Sequence, residues 1–210
     1  MPYTVKEIFY TLQGEGLQSG RPAVFCRFSG CNLWNGKNKD RMNATCQFCD
    51  TDFVGTDGPG GGRFEHAHTL VEALRTHWPK PDQPSKFVVL TGGEPLLQVD
   101  APLLKALSKA DFEIAVETNG TQKAPEGIDH LCVSPKTAEL KQNHGTELKL
   151  VFPQSDLGPE TFGHLDFDYF FLQPKDGPHR EENTQKALEY CRRHPKWRLS
   201  LQTHKLLNIP

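Results

Sequence analysis

The chain has no run of about 18 apolar residues, the length a helix needs to cross a bilayer. Its first residues, Met1 to Glu7, carry neither a basic flank nor an apolar stretch, so they do not read as a signal peptide. The chain is therefore expected to be cytoplasmic and not bound to a membrane. An excess of either charge is also missing: 24 Lys+Arg stand against 26 Asp+Glu, for a formal net charge of −2. A protein held on nucleic acid by broad electrostatics is normally basic, so a nucleic-acid partner is not expected. Neither an internal repeat nor a domain linker can be found, which points to one domain over 1–210. That length is short of the roughly 250 residues typical of a closed eight-unit barrel. It is ample for a core without disulfide or metal staples. Only six cysteines are present, and in a cytoplasmic chain they are more naturally thiols or metal ligands than disulfides.

What is present is a strand–helix rhythm. Alternation over Tyr3–Tyr10 and Ala23–Ser29 predicts two strands. In the second, Val24, Cys26 and Phe28 share one face, with Ala23, Phe25 and Arg27 on the other. The stretch 35–45 is polar and aperiodic and is expected to be a loop, as is the glycine-rich Gly55–Gly62. Thr69 reads as the N-cap of a helix reaching about His77, with Leu70, Ala73, Leu74 and His77 on one face. Lys86–Leu90 predicts a short buried strand, and Ala101–Ala110 a helix presenting Leu103, Leu104 and Leu107. Further strands are expected at Glu113–Glu117, His130–Val133, Glu147–Phe152, Tyr169–Leu172 and Trp197–Gln202, and a helix at Glu182–His194. The pattern is that of an α/β fold, a partial, open barrel of about six to seven mostly parallel strands with few helices.

Cys31, Cys46 and Cys49 are spaced C-x14-C-x2-C after the second strand. Three readings are open on spacing alone. Cys26, Cys31, Cys46 and Cys49 could form a four-thiolate zinc site, although Cys26 falls on a core position of its strand. The three could instead hold an iron–sulfur cluster; such irons usually take four thiolates, so three would leave one iron open to another ligand. They could also be incidental thiols. Cys132 and Cys191 read as ordinary buried cysteines.

Five strands end in polar or glycine-rich tails, where parallel α/β folds bind their ligands. These tails carry a resemblance. Gly92-Gly93-Glu94-Pro95 resembles the GGEP motif of radical S-adenosylmethionine (SAM) enzymes. Together with Leu12-Gln13-Gly14-Glu15-Gly16, Cys46-Gln47-Phe48-Cys49-Asp50-Thr51, Glu117-Thr118-Asn119-Gly120, Ser134-Pro135-Lys136 and Gln173-Pro174-Lys175-Asp176, it resembles the 7-carboxy-7-deazaguanine synthase family. The likeness runs from residue 12 to the C-terminus. Most radical SAM enzymes have C-x3-C-x2-C, so residues 32–45 read as an inserted cluster loop, an expansion known in this family.

The resemblance implies a radical-SAM-type partial barrel and a [4Fe–4S] cluster on Cys31, Cys46 and Cys49. It implies conversion of 6-carboxy-5,6,7,8-tetrahydropterin to 7-carboxy-7-deazaguanine with loss of ammonia, in queuosine and 7-deazapurine biosynthesis. The 5′-deoxyadenosyl radical would take a substrate hydrogen and SAM would be regenerated. SAM would lie against Phe48, Cys49, Asp50, Gly93, Glu94, Ser134, Pro135, Lys136, Gln173, Pro174, Lys175 and Asp176. Gly92 and Gly93, lacking a Cβ, would let backbone approach the ligand closely. The pterin would lie against Leu12, Gln13, Gly14, Glu15, Arg27, Thr91, His204 and the terminal carboxylate of Pro210. Arg27 could equally face solvent; if inward, its guanidinium needs a carboxylate, which the substrate could supply. Mg²⁺ is implied at Thr51, where the residues alone would point to Asp50 or Asp52. A homodimer and a flavodoxin-like reductant are implied as well. Two other classes stay open: an activase that makes a glycyl radical on a partner protein, and a zinc-stabilised, non-catalytic binding module.

Overall fold

The computed structural model describes residues 2–80 and 85–210. Its frame is a nine-stranded sheet. Strands β1 (Tyr3–Leu12) and β2 (Pro22–Phe28) are an antiparallel hairpin, and the short β3 (Gly62–Phe64) pairs with the outer side of β1. Next to β2 follow β4 (Lys86–Gly92), β5 (Phe112–Thr118), β6 (His130–Val133), β7 (His144–Phe152), β8 (Asp166–Pro174) and β9 (Trp197–Leu199), each parallel to its neighbour. The edges are β3 and β9, so the sheet does not close. Its parallel part has the seven strands that the alternation predicts.

The register sorts the sheet into two faces. On one, Cys26 lies beside Leu90, Leu90 beside Val116, Val133 beside Leu148, and Leu148 beside Phe170. This apolar face is covered by three substantial helices, α1 (Ala67–His77), α2 (Ala101–Lys109) and α4 (Arg180–Arg193). Leu103, Leu104 and Leu107 of α2 are buried there, as the helical period predicts. Residues of opposite parity fill the other face: Arg27 beside Thr91, Glu117 beside Cys132, Cys132 beside Glu147. A small apolar patch of Ala23, Phe87, Val89 and Ala115 lies at one end of it.

Several boundaries differ from expectation for local reasons. A bulge between Val5 and Glu7 shifts the register of β1, so Val5 and Ile8 both reach the core where strict alternation would separate them. Helix α1 starts at Ala67, with His66 rather than Thr69 at the N-cap position; Thr69 lies inside the first turn, where its hydroxyl donates back to the His66 carbonyl (2.7 Å). Its buried face is Leu70, Val71 and Leu74. Within 35–45, Asn38–Asn43 form a 3-10 helix. Strand β3 starts at Gly62, the last residue of the stretch expected to be loop, and runs on to Phe64. The last strand stops at Leu199, and the chain turns into the short helix α5 (Thr203–Leu207); the periodicity predicts neither it nor the earlier short helix α3 (Pro159–Phe162).

Leu107 is fully buried under this helix layer. Leu107→Ala should lower unfolding free energy by roughly 2–5 kcal/mol, measured by urea denaturation. A loss within half a kilocalorie would contradict the assignment of this face as the core.

Candidate active site

A cavity of about 510 Å³ opens at the carboxyl ends of the parallel strands, on the polar face. Its wall takes Leu12, Gln13, Gly14 and Glu15 after β1, Arg27 from β2, and Cys31, Cys46, Phe48, Cys49, Asp50 and Thr51 from the loop after β2. The strand ends add Thr91 and Gly93, Ser134 and Lys136, and Gln173, Pro174, Lys175 and Asp176. His204 and Pro210 complete it from the C-terminal segment. Two of the expected residues lie off the wall, Glu94 and Pro135. Pro135 is buried, and its carbonyl accepts from Gln154 Nε2 (3.2 Å).

The turn after β4 is built against the first cysteine. Gly92 has φ +138°, and a Cβ there would fall 2.3 Å from the Phe28 carbonyl oxygen. A Cβ on Gly93 would fall 2.1 Å from the Gly30 carbonyl oxygen and 2.8 Å from Cys31 Cβ. What the missing side chains admit here is the protein's own chain, from Phe28 to Cys31. Glu94 N donates to Gly30 O (3.0 Å). The Glu94 carboxylate, fully buried, accepts from Leu96 N (3.0 Å), Thr118 Oγ1 (2.7 Å) and Asn119 N (2.8 Å). Burial pushes its pKa up, with these bonds opposing.

The second and third cysteines are fixed by the inserted loop. Arg41 Nη1 donates to the carbonyls of Gln47 (3.1 Å) and Cys49 (2.9 Å), and its guanidinium lies 4.0 Å over the Trp34 ring. Trp34 packs edge-on against Phe53. The Cys46 thiol donates to Cys49, which favours the Cys49 thiolate and lowers its pKa against the effect of burial. The remaining cysteines stand apart from this wall. Cys26 is in the core between Ile8 and Leu90, Cys132 is buried in β6 and Cys191 is on α4. That position of Cys26 rules out the four-thiolate zinc site. Three thiols on one wall beside a backbone-only turn fit a cluster with three protein ligands and one open iron.

The other half of the cavity is a chain of charges. Lys149 is buried, with Nζ 2.6 Å from Glu15 Oε2 and 3.5 Å from Glu117 Oε1. Gln13 Nε2 donates to Glu117 (2.9 Å), and Gln202 Nε2 to Glu15 (2.9 Å). Burial alone would raise the Glu15 pKa, but Lys149 outweighs it and holds the carboxyl at about 2. Burial likewise acts to lower the Lys149 pKa, and the surrounding acidic groups drive it well above the usual lysine value. Lys149 was not singled out from the sequence, and Glu117 only as the start of the Glu117-Thr118-Asn119-Gly120 tail, with no role of its own. The available signal was the run Glu147-Leu148-Lys149-Leu150, whose leucines take the core face and so direct Lys149 to the other.

Arg27 faces the cavity, but its carboxylate partner is Glu7 of the adjacent strand, at 2.8 Å from Nε. Nη1 and Nη2 remain for a ligand. His204 lies against Gly14, where a Cβ would fall 2.2 Å from its Nδ1. Thr203 donates to the Gly14 carbonyl from both N (3.0 Å) and Oγ1 (2.9 Å). The aspartates on either side of Thr51 are held by lysines, Asp50 by Lys205 (2.6 Å) and Asp52 by Lys6 (2.9 Å). Lys136 Nζ donates to Ser134 O (2.7 Å) and Oγ (2.6 Å), and burial lowers its pKa. Gln173 Oε1 accepts from Ser200 Oγ (3.1 Å).

An unclosed parallel sheet, three thiols on the loop after its first parallel strand, and a Gly-Gly turn packed on the first of them define a radical SAM core. Relatives narrow the class. A 7-carboxy-7-deazaguanine synthase of Burkholderia multivorans is 58% identical over 211 residues, covering 100% of both chains. The synthase of Bradyrhizobium diazoefficiens is 59% identical over 210 residues, again covering 100% of both. The crystal structure of QueE from Escherichia coli matches with TM-score 0.73 at 27% identity, over 96% of this chain and 94% of that one. No protein-family model matches the chain. The chain belongs to the 7-carboxy-7-deazaguanine synthase family. The activase and binding-module readings are not favoured. Among the described residues, no helix is long and apolar enough to cross a membrane.

Because the folded Glu15 pKa is depressed, its contribution to stability is complete above about 4.5 and is lost as pH falls toward about 2. Lys149→Met leaves the half-buried Glu15 and Glu117 without a cation, each keeping only glutamine donors. It should cost roughly 3–5 kcal/mol at pH 7, and the gap to wild type should narrow as protonation relieves the unpaired charge. Denaturation series at pH 7, 5 and 4 measure this; a gap independent of pH would contradict the pairing.

Proposed function

We propose that the chain converts 6-carboxy-5,6,7,8-tetrahydropterin to 7-carboxy-7-deazaguanine by radical SAM chemistry. The observation that carries this reading is one cavity whose wall takes the three thiols together with Arg27, His204 and Pro210. Cys31, Cys46 and Cys49 would hold a [4Fe–4S] cluster with one open iron for SAM. When bound and reduced, cluster and SAM supply the 5′-deoxyadenosyl radical that takes the substrate hydrogen, with SAM regenerated.

The chain's own residues bind and orient. Ser134, Lys136, Gln173 and Asp176 offer hydroxyl, ammonium, amide and carboxylate groups on the SAM side, with Phe48, Cys49, Asp50, Gly93, Pro174 and Lys175 along the same wall. Glu94 and Pro135, off the wall, act by holding the strand tails. Arg27, through its terminal nitrogens, and His204 would take the substrate carboxylate. The terminal carboxylate at Pro210 would accept from the amino–NH edge of the pterin, with Leu12, Gln13, Gly14, Glu15 and Thr91 around the ring. Thr51 would ligate Mg²⁺; its neighbours Asp50 and Asp52 are each paired with a lysine. A homodimer, a flavodoxin-like reductant and a cytoplasmic location complete the reading.

Anaerobically reconstituted protein given SAM, dithionite and the carboxy-tetrahydropterin should release the deazaguanine and ammonia without net loss of SAM. Alanine at any of Cys31, Cys46 or Cys49 should abolish both iron binding and product. Turnover by a colourless protein with one bound zinc, or product formation by a triple cysteine variant, would overturn the proposal.

A further inference from the structure

The segment that carries His204 and Pro210 is thinly attached. Helix α5 has no buried residue, and Leu206 and Leu207 are more than half exposed. Hydrophobic burial therefore contributes little to its position, and polar bonds must do so. Two of these, from Thr203, reach the Gly14 carbonyl. Thr203 Oγ1 also lies 3.5 Å from Ser19 Oγ, Gln202 at the N-cap donates to Glu15 (2.9 Å), and two further contacts come from Lys205. Its Nζ stands 2.6 Å from Asp50 Oδ2 and 2.6 Å from Asp176 Oδ2. Asp50 lies between Cys49 and Thr51 in the cysteine loop, 155 positions away in sequence. Asp176 belongs to the tail of β8. All three side chains line the cavity.

We infer that Lys205 is a positioning residue: it ties the C-terminal helix to the cysteine loop and to the β8 tail, and so sets where His204 and the terminal carboxylate stand relative to the cluster ligands. The inference rests on the proposed function for what those groups do, and on the geometry alone for the tie. A lysine suits the place because a compact ammonium on a flexible stem can take two carboxylates from different directions. Lys205, Asp50 and Asp176 are 29%, 50% and 32% exposed, respectively. Ion pairs this open add little to global stability. Their effect is local, on a short helix with no buried residue.

The test compares wild type, Lys205→Met and Lys205→Arg as reconstituted holoenzymes. Hydrogen exchange by mass spectrometry reads the peptide spanning 203–210 without substrate, and steady-state kinetics reads the pterin. In Lys205→Met, exchange in 203–210 should quicken about tenfold or more, and KM for the pterin should rise by a larger factor than kcat falls. Melting temperature and iron content should stay at wild-type values, and Lys205→Arg should restore both readouts most of the way. Wild-type exchange in Lys205→Met, or an unchanged KM, would overturn the inference. If wild-type holoenzyme made no product, the proposed function would fall while the exchange comparison still decided the tie.

Discussion

The contact of Gly92 and Gly93 with the backbone of Phe28–Cys31 sets the geometry of the site. It is a contact that no residue with a side chain can make without displacing backbone. It joins the end of β4 to the first cysteine, and other bonds extend it sideways. Glu94 N bonds the Gly30 carbonyl, the Glu94 carboxylate bonds Thr118 and Asn119, and Asn119 Nδ2 donates to Asn32 (3.1 Å). The ends of β2, β4 and β5 are thereby one unit. Cys31 is presented by backbone packing, while Cys46 and Cys49 are held by Arg41 on Trp34. The inserted loop is thus a second support for the thiol wall, built from a cation over an aromatic ring and two carbonyl bonds.

The two faces of the sheet divide the labour between stability and chemistry. Helices cover only one of them, and there the leucines, valines and phenylalanines collect. The uncovered face can be polar because its charges are paired: Glu15 and Glu117 with Lys149, and Glu7 with Arg27. A buried pair of this kind is weak evidence for stability, since desolvation offsets much of the attraction. Its use is that it fixes side chains in a cavity that has to accept a polar, flat ligand. An open sheet of this size leaves the C-terminal helix as the remaining wall, fastened by hydrogen bonds and ion pairs.

Much of the fold was legible in the sequence. Alternation gave the parallel strands, because each buries one apolar face, and the leucines of α2 because they follow the helical period. The strand tails and the cysteine loop, read through the family resemblance, marked much of the cavity wall, while Trp34, Lys149 and Lys205 went unmarked. What was hidden has a common cause: structure held by polar bonds leaves no hydrophobic period. The 3-10 helix over Asn38–Asn43, the glycine-rich start of β3 and the solvent-exposed α5 are all of this kind. The bulge at Val5 breaks a period that is otherwise present. Glu94 illustrates a different limit. A motif residue can be read as a ligand contact from its type, yet its partners, Thr118 and Asn119, are visible only in three dimensions. Arg27 was likewise readable as needing a carboxylate, but not that Glu7 supplies one.

The central claim is that Cys31, Cys46 and Cys49 would hold a four-iron cluster as its three protein ligands and leave one iron open to SAM. Low-temperature electron paramagnetic resonance of the reduced holoenzyme, with and without SAM, tests it most directly. The account predicts the signal of a reduced [4Fe–4S] cluster whose g-values shift when SAM is added, because the open iron gains new ligands. A cluster signal that SAM leaves unchanged would contradict it.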